Sequence, residues 1–248
     1  MRQMVTTALP AAPGVDAILA RLDPEQRSAA VLPDGPAQII APAGSGKTTT
    51  LIARLGVLLE GGLAPDRICV VTFNRDAAAE LSSRISHQLG SAATAIEVRT
   101  LHALARRVLL DAGHPARLVA DRLPLLRAAR RRHAAADASV LLPEAPQLDT
   151  WLSAWKVEGR PPPEESRAVL ASFADLMASR GLIDFDDLVV GAVAALDEDA
   201  RLRARWQSRF LHVCVDEFQD VDAAQLRLVR LLAAPEDNLF VVGDDDQP

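Results

Sequence analysis

The residues Ala41 to Thr48 have the order of a phosphate-binding loop. They read Ala-Pro-Ala-Gly-Ser-Gly-Lys-Thr, follow a short apolar run and precede a helix-like segment, which is the context that such a loop requires. Glycines let backbone N–H groups surround a phosphate, and the N-terminus of the following helix adds partial positive charge. In this arrangement Lys47 would reach the β- and γ-phosphates of a nucleotide, and the Thr48 hydroxyl would bind Mg²⁺.

Lysine is rare in this chain, and one of its two copies stands in the glycine-rich loop. Of the 27 Lys and Arg residues, only Lys47 and Lys156 are lysine. A lysine retained at position 47 therefore indicates a site where a compact point charge is needed. Ala41 stands where the general pattern has glycine, and the alternative interpretation is a glycine-rich turn that merely precedes a helix.

Two adjacent carboxylates, Asp216 and Glu217, follow the apolar run 210–215 directly. A buried strand delivers its last residues to the edge of an open α/β sheet where ligands bind. We expect Asp216 to hold Mg²⁺ through water, and Glu217 to act as the general base that activates the attacking water. The alternative is that the two acids simply end a strand, but the nearby phosphate-binding loop favours the functional interpretation.

The periodicity of the chain predicts an α/β fold. Continuously apolar runs at 38–40, 68–73, 210–215 and 239–242 are typical of buried strands in a parallel sheet. Helices are predicted over 46–60 and 74–90, and Asp23 to Gln26 has the pattern of a helix N-terminus with a capping box. The segment 104–181 is rich in Ala, Arg and Pro without a convincing strand, so it is interpreted as a helical insertion.

Composition limits the class of protein. No apolar run reaches the length of a membrane span, the N-terminus does not resemble a signal peptide, and Cys69 and Cys214 lie inside apolar runs as small buried residues would. These features predict a cytoplasmic protein. The net charge is −6, yet nine arginines lie between positions 99 and 132. That basic segment is either a solvated helix face or a phosphate-contacting one.

Seven segments, taken in order, resemble the motifs of superfamily 1 DNA helicases of the UvrD/Rep/PcrA kind. The resemblance spans about Leu22 to Pro248, nearly the whole chain. The segments are Leu22 to Gln26 (Q motif), Ala41 to Thr50 (motif I), Val71 to Ala78 (motif Ia), Thr100 to His102 (motif Ib), Asp184 to Leu188 (a segment that precedes motif II), Asp216 to Asp220 (motif II) and Val241 to Gln247 (motif III).

The resemblance implies a RecA-like P-loop NTPase domain with a parallel sheet, interrupted by a helical insertion subdomain. The predicted boundaries are an N-terminal extension (1–21), the first part of the ATP-binding domain (22–103), the insertion (104–181) and the second part of the ATP-binding domain (182–248). Because the chain ends inside motif III, we expect it to be the N-terminal part of a longer protein, and to hydrolyse ATP poorly without the second motor domain.

The resemblance also assigns roles to individual residues. It implies ATP and Mg²⁺ as ligands, with Gln247 on the γ-phosphate. Gln26 would bind the adenine edge, serve as part of the capping box, or do both. Phe73, Arg75 and His102 would contact single-stranded DNA, although Phe73 could instead pack in the core. Asp76 departs from the lysine common at its position in relatives. The predicted nucleotide-binding residues are Gln26, Ala43, Gly44, Ser45, Gly46, Lys47, Thr48 and Thr49. The predicted metal ligands are Thr48 and Asp216, and the predicted catalytic residues are Lys47, Asp216, Glu217 and Gln247.

The function implied by the resemblance is that of a motor domain. It would couple ATP hydrolysis to movement on single-stranded DNA, in the 3′ to 5′ direction, at single/double-strand junctions and in repair or recombination. Three alternatives remain open: the helicase part of a helicase–nuclease, a non-catalytic nucleotide-binding remnant, and a P-loop kinase or transporter ATPase. The last would need an acceptor site with a lid or a transporter signature, and the sequence shows neither.

Overall fold

The structure, a computed structural model, describes residues 14–42, 44–114, 117–136 and 142–244. Within these ranges it is an α/β protein, as predicted. The strands are β1 (Ala37–Ile40), β2 (Ile68–Thr72), β3 (Glu97–Thr100), β4 (Arg117–Leu118), β5 (Leu182–Ile183), β6 (His212–Val215) and β7 (Leu239–Gly243).

Two of the described helices precede β1, and the others lie in the connections between strands. Their bounds are α1 (Val15–Leu19), α2 (Pro24–Ala30), α3 (Lys47–Glu60), α4 (Arg75–Leu89), α5 (Leu101–Asp111), α6 (Leu123–Ala136), α7 (Ala145–Glu158), α8 (Glu164–Ser179), α9 (Phe185–Glu198), α10 (Ala200–Gln207) and α11 (Ala223–Ala233). The two helices predicted over 46–60 and 74–90 are confirmed within one residue at each end. The predicted capping box is also present, since Asp23 accepts from the backbone N–H of Gln26 at 2.8 Å and Gln26 accepts from that of Asp23 at 3.2 Å.

Five strands form one parallel sheet in the order β1-β7-β6-β2-β3. Strand β6 lies between β7 and β2, with Val215 opposite Val241 on one side and Val71 on the other. Strand β1 pairs with β7, and its last residue Ile40 lies opposite Gly243. The carboxyl ends of β1, β6 and β7 therefore meet at one edge of the sheet, where the loop after β1 and the acids after β6 both emerge.

Three of the described strands, β3, β4 and β5, were not predicted. Strand β3 pairs on one side only, with β2. It contains Glu97 and Arg99, so it lacks the continuous apolar run by which the other strands of the five-stranded sheet were predicted. The expectation that 104–181 contains no strand is wrong, because Arg117–Leu118 pairs in parallel with Leu182–Ile183. A two-residue strand is too short to produce a recognisable periodicity.

The chain divides into two compact units. The first comprises residues up to Thr100 together with 209–220 and the segment from Pro235 onward. Its core packs α3 and α4 against the sheet through buried residues including Leu51, Leu55, Val70 and Ile85. Helix α1, which falls in the predicted extension, places Ile18 in a smaller cluster with Ala53 of α3. The described part of the extension is therefore packed against the sheet-bearing unit.

The second unit comprises 101–208 and 221–234, and is mainly helical. One of its apolar clusters joins α6, α7 and α8 through residues such as Leu126, Leu148 and Phe173. The predicted insertion 104–181 lies within this unit, and its boundaries stay a prediction.

A network of charged side chains in the second unit accounts for part of the basic segment. Arg122 donates to Asp184 at 2.8 Å and to Asp186 at 2.6 Å, and it also contacts Asp149 and Ser153. Lys156, the second lysine, donates to Asp184 at 2.8 Å and to Asp187 at 2.6 Å. Arg130 is likewise used internally, on the backbone oxygens of Leu142 and Pro143, whereas Arg127, Arg131 and Arg132 are exposed. The basic segment thus combines structural arginines with a solvent-facing group.

The cysteines are buried in the sheet, as predicted. Cys69 of β2 and Cys214 of β6 are free thiols on neighbouring strands, and burial raises the pKa of Cys214 to about 12. Among the described residues, no helix is both long and apolar enough to cross a membrane.

Candidate nucleotide-binding site

The loop after β1 has the backbone conformation that its glycines allow. Gly44 and Gly46 have φ of 77° and 82°, a left-handed conformation that side chains with a Cβ rarely adopt. Gly46 is the N-cap of α3, and Lys47 is the first residue of that helix. The Ser45 hydroxyl is buried, and no protein hydrogen-bond partner for it is found among the described residues. An unsatisfied buried hydroxyl beside a helix N-terminus fits a loop that receives a polar ligand.

Lys47 is held at the end of the sheet. Its ammonium donates to the backbone oxygen of Ala41 at 2.8 Å and to Oδ2 of Asp244 at 3.2 Å. The side chains of Lys47 and Asp244 are only 10% and 6% exposed, so this ion pair is largely shielded from water. Asp244 follows β7 directly and lies in the segment that resembles motif III. A phosphate that binds in the loop would compete with this carboxylate for the lysine.

Thr48 and Asp216 come together as the sequence predicts. The Thr48 hydroxyl donates to Oδ2 of Asp216 at 3.5 Å, although 168 positions separate them in the chain. Burial raises the pKa of Asp216 above its ordinary value, and repulsion from Glu217 adds to the effect. Both influences make the ionised carboxylate costly without a compensating positive charge, as expected of a residue that binds a cation.

Glu217 follows in an unusual backbone conformation, with φ of 57°. Its Oε2 accepts a hydrogen bond from Nε2 of Gln219 at 2.7 Å, and Gln219 accepts in turn from the backbone N–H of Asp244 at 2.9 Å. Gln219 stands in a short 3₁₀ helix, Phe218–Asp220. The predicted general base is therefore fixed by a residue to which the sequence assigned no role.

Gln26 lies against the same loop. Its side-chain amide donates to the backbone oxygen of Ser45 at 2.7 Å, and a Cβ placed on Gly46 would come within 2.7 Å of Nε2 of Gln26. The capping interaction uses the other end of the same amide. Both interpretations of Gln26 are thus compatible, because the residue caps α2 and also reaches the loop.

A cavity of about 380 Å³ opens beside Lys47, Thr48 and Glu217. It is lined by Gly44, Gly46, Lys47, Thr48, Thr49, Arg84, Glu217, Gln219 and Asp244. Arg84 of α4 was not predicted, since it stands outside the residues singled out in motif Ia, and its guanidinium donates to the Thr49 hydroxyl at 3.3 Å. A larger cavity of about 570 Å³ lies in the second unit, but its walls are mostly apolar residues such as Ile183 and Val190 and it has no phosphate-binding loop.

The residues predicted to contact DNA are divided between the two units. Phe73 follows β2 with 52% of its surface exposed, which excludes the alternative that it packs in the core. Arg75 and Asp76 are exposed in the first turn of α4, where a carboxylate is favoured by the helix dipole. His102 belongs to the second unit and contacts the ring of Phe185 edge-on at 5.3 Å between centroids. Burial lowers the pKa of His102, and nearby Asp222 and Asp186 oppose this effect.

Two predicted site residues, Ala43 and Gln247, lie outside the described residues. So do 1–13 of the predicted N-terminal extension.

A parallel sheet in which a glycine-rich loop and a lysine at a helix start follow β1, and an acid follows β6 with β7 between the two strands, defines a P-loop nucleotide-binding domain of the RecA-like class. Residues 22–248 match the family described as UvrD/REP helicase N-terminal domain, and the chain belongs to that family.

Similar proteins agree with this assignment. The chain is 32% identical over 268 residues to "ATP-dependent DNA helicase UvrD2" of Mycobacterium tuberculosis, a match that covers 94% of the chain and 37% of the relative. It is 31% identical over 248 residues to "ATP-dependent DNA helicase Rep" of Escherichia coli, covering 92% and 36%, and 32% identical over 250 residues to "ATP-dependent DNA helicase PcrA" of Bacillus subtilis, covering 93% and 33%. The chain thus spans about a third of the length of these relatives.

Proposed function

We propose that this chain is the ATP-binding motor domain of an ATP-dependent DNA helicase, and that it binds MgATP in the cavity after β1. The observation that carries the proposal is the convergence of Lys47, Thr48 and Asp216 at one edge of the sheet. A phosphate-binding lysine and a carboxylate next to a threonine hydroxyl are what a nucleoside triphosphate and its metal require together.

The residues present fit Mg²⁺. The oxygens of Thr48 and Asp216 are 3.5 Å apart, and two oxygens bound to one Mg²⁺ at its usual distances lie about 3–4 Å apart. No group of three or more acidic, His or Cys residues forms a metal site within the described ranges. This agrees with a metal held by few protein ligands and otherwise by phosphates and water. When bound, Mg²⁺ would neutralise charge on the phosphates.

The chain's own residues divide the remaining tasks. Lys47 would leave Asp244 to bind the β- and γ-phosphates, and Gln26 would meet the adenine edge beside Ser45. Glu217 would accept a proton from the water that attacks the γ-phosphorus. Arg84, whose guanidinium already lies at Thr49, would add a second positive charge near the phosphates. Gln247 stays a predicted γ-phosphate contact on the basis of the family resemblance.

The DNA-binding part of the proposal rests on exposed rings and charges. Phe73 presents a large apolar ring to solvent immediately after a core strand, and such rings stack on bases without regard to sequence. Arg75, two positions later, offers a charge to the DNA backbone, and His102 stays a predicted DNA contact on the basis of the family resemblance. Single-stranded DNA is therefore the proposed track, with junctions, 3′ to 5′ movement, a role in repair or recombination and a cytoplasmic location following only from the family resemblance.

ATP hydrolysis with and without single-stranded DNA tests the proposal. We expect slow, Mg²⁺-dependent hydrolysis by the chain, stimulated by an oligothymidylate strand and lost in Lys47→Ala. Phe73→Ala should lose the stimulation and keep the basal rate. Arg127→Ala is the matched control, because it removes an exposed positive charge of the second unit that does not line the cavity. Hydrolysis that is unchanged in Lys47→Ala would contradict the proposed site.

A further inference from the structure

Gln219 joins the proposed general base to the end of strand β7. Its Nε2 donates to Oε2 of Glu217 at 2.7 Å, and its Oε1 accepts from the backbone N–H of Asp244 at 2.9 Å. Both ends of one amide are thus used, one on a carboxylate and one on the backbone. A hydrogen bond to an ionised group is stronger and more directional than one between neutral groups, so this bond fixes the orientation of the Glu217 carboxylate.

The backbone conformation of Glu217 indicates that the surrounding structure holds this residue in place. A φ of 57° is uncommon for a residue with a side chain, and such conformations persist where the surroundings hold them in place. The following 3₁₀ helix is closed by the bond from the Asp220 N–H to the Glu217 oxygen at 3.1 Å. Gln219 therefore lies in a tight turn that starts from the strained residue and returns towards it.

Gly243 allows the turn to approach β7. A Cβ on this glycine would lie 3.1 Å from Oε1 of Gln219 and 3.2 Å from Cβ of Phe218, closer than ordinary contact. The absence of a side chain at position 243 is what lets Gln219 reach the N–H of Asp244. Three separate observations, namely the two hydrogen bonds, the strained Glu217 and the crowded Gly243, involve the same turn.

We propose that Gln219 is a positioning residue for ATP hydrolysis, which orients the Glu217 carboxylate and ties it to the end of β7. The inference rests on the proposed function and adds a residue to it. Because the Asp244 carboxylate also binds Lys47 at 3.2 Å, the base, the strand end and the phosphate-binding lysine form one connected series. The position of the base is thereby linked to the segment that contacts the lysine.

The chemical consequence concerns the two oxygens of Glu217. With Oε2 engaged by Gln219, Oε1 is the oxygen directed to the attacking water. An O–H bond of the water breaks and its proton passes to Oε1, while the water oxygen forms a bond to the γ-phosphorus. The bond between the γ-phosphorus and the bridging oxygen breaks, and ADP leaves with that electron pair. Without Gln219 the carboxylate can rotate away from the water, so the rate falls while nucleotide binding is retained.

Two substitutions of Gln219 distinguish the contributions of its two hydrogen bonds. Gln219→Met removes both, whereas Gln219→Glu keeps an oxygen for the Asp244 N–H and loses the donor to Glu217. We expect both to reduce the single-turnover rate at saturating MgATP about tenfold, a fraction of what a general base supplies. The dissociation constant of MgATP should change less than about twofold in Gln219→Met. In a Glu217→Gln background, Gln219→Met should cause no further loss, since the group that it positions is already disabled.

Affinity for ADP with aluminium fluoride, relative to ADP alone, provides a readout without turnover. This transition-state mimic needs the same oriented base. The ratio of its affinity to that of ADP alone should therefore fall in the Gln219 variants by about as much as the hydrolysis rate does. Gln207→Met is the matched control, because Gln207 also donates its amide to a backbone oxygen, that of Leu231 at 2.9 Å, but has no contact with Glu217.

The outcomes distinguish this inference from the proposed function. If the parent chain binds MgATP through Lys47 but Gln219→Met and Gln219→Glu keep the parental rate and analogue affinity, the inference is overturned and the proposed function stands. An equal loss from Gln219→Met in the parent and in Glu217→Gln would also overturn it, because the role would then be structural. Absence of Lys47-dependent MgATP binding by the parent would instead refute the proposed function itself.

Discussion

Replacement of Arg122 by methionine tests the ionic network of the second unit. The Arg122 side chain is 11% exposed and contacts Asp149, Asp184 and Asp186, while the Asp184 side chain is 3% exposed. Methionine has similar length and keeps the apolar part of the side chain, but it leaves these carboxylates with Lys156 as the remaining cation of the network. The perturbation thus removes one charge from a largely buried cluster.

The expected loss of stability is large for a single substitution. Removal of one partner from a buried ion pair costs about 3–5 kcal/mol, because the other charge stays buried without compensation. For a protein of this size that corresponds to a decrease in Tm of about 6–20 °C. The assay is thermal and urea unfolding followed by tryptophan fluorescence. All three tryptophans, Trp151, Trp155 and Trp206, belong to the second unit, so the signal reports that unit.

Arg127→Met is the matched control. Arg127 lies on α6, close to Arg122 in sequence, and is exposed, so its replacement should change stability by no more than about 0.5 kcal/mol. If Arg122→Met proved no more destabilising than Arg127→Met, the network would not stabilise the second unit as its geometry indicates.

Three further predictions follow from individual contacts. Burial acts to raise the pKa of Asp184, but hydrogen bonds and charge from Lys156 and then Arg122 hold it below its ordinary value. The stabilisation is therefore present above the unfolded-state pKa of about 4 and is lost as pH falls below it, so the stability difference between Arg122→Met and the parent should narrow in urea titrations at pH 3 relative to pH 7. Gly243→Ala should destabilise the chain by about 1–3 kcal/mol, because its methyl group would collide with the turn at Gln219, and an equal urea midpoint would contradict this. Arg84→Met should weaken MgATP binding about tenfold by loss of a charged hydrogen-bond donor, measured by calorimetry, whereas unchanged affinity would exclude Arg84 from the phosphate site.

The sequence predicted those elements of the fold whose local residue pattern is typical of their secondary structure. Strands β2, β6 and β7 are buried on both faces and read as continuous apolar runs, and α3 and α4 end at glycines that the chain makes visible. Strand β3 was not predicted because it is an edge strand. Its outer side is not covered by another strand, so polar residues such as Glu97 and Arg99 are tolerated there and no apolar run marks the strand. The pairing of β4 with β5 joins residues 65 positions apart in the chain (182 − 117), and no local pattern indicates it.

In the candidate site, too, some residues could be predicted from a local sequence pattern and others could not. Lys47, Thr48, Asp216 and Glu217 could be predicted as site residues because their chemistry demands particular neighbours in the sequence. The contacts of Arg84 and Gln219 depend on how α4 and the turn after β6 fold back towards the loop, which spacing alone does not reveal. The ion pair between Lys47 and Asp244 likewise follows from the pairing of β1 with β7.

Lysine acetylation followed by mass spectrometry tests the central claim most directly, because the chain contains only two lysines. Saturating MgATP should slow the acetylation of Lys47 severalfold and leave Lys156 unchanged, since only the first would be covered by phosphate. Equal rates at Lys47 with and without MgATP, or equal protection of both lysines, would contradict the assignment of the cavity after β1 as the triphosphate site.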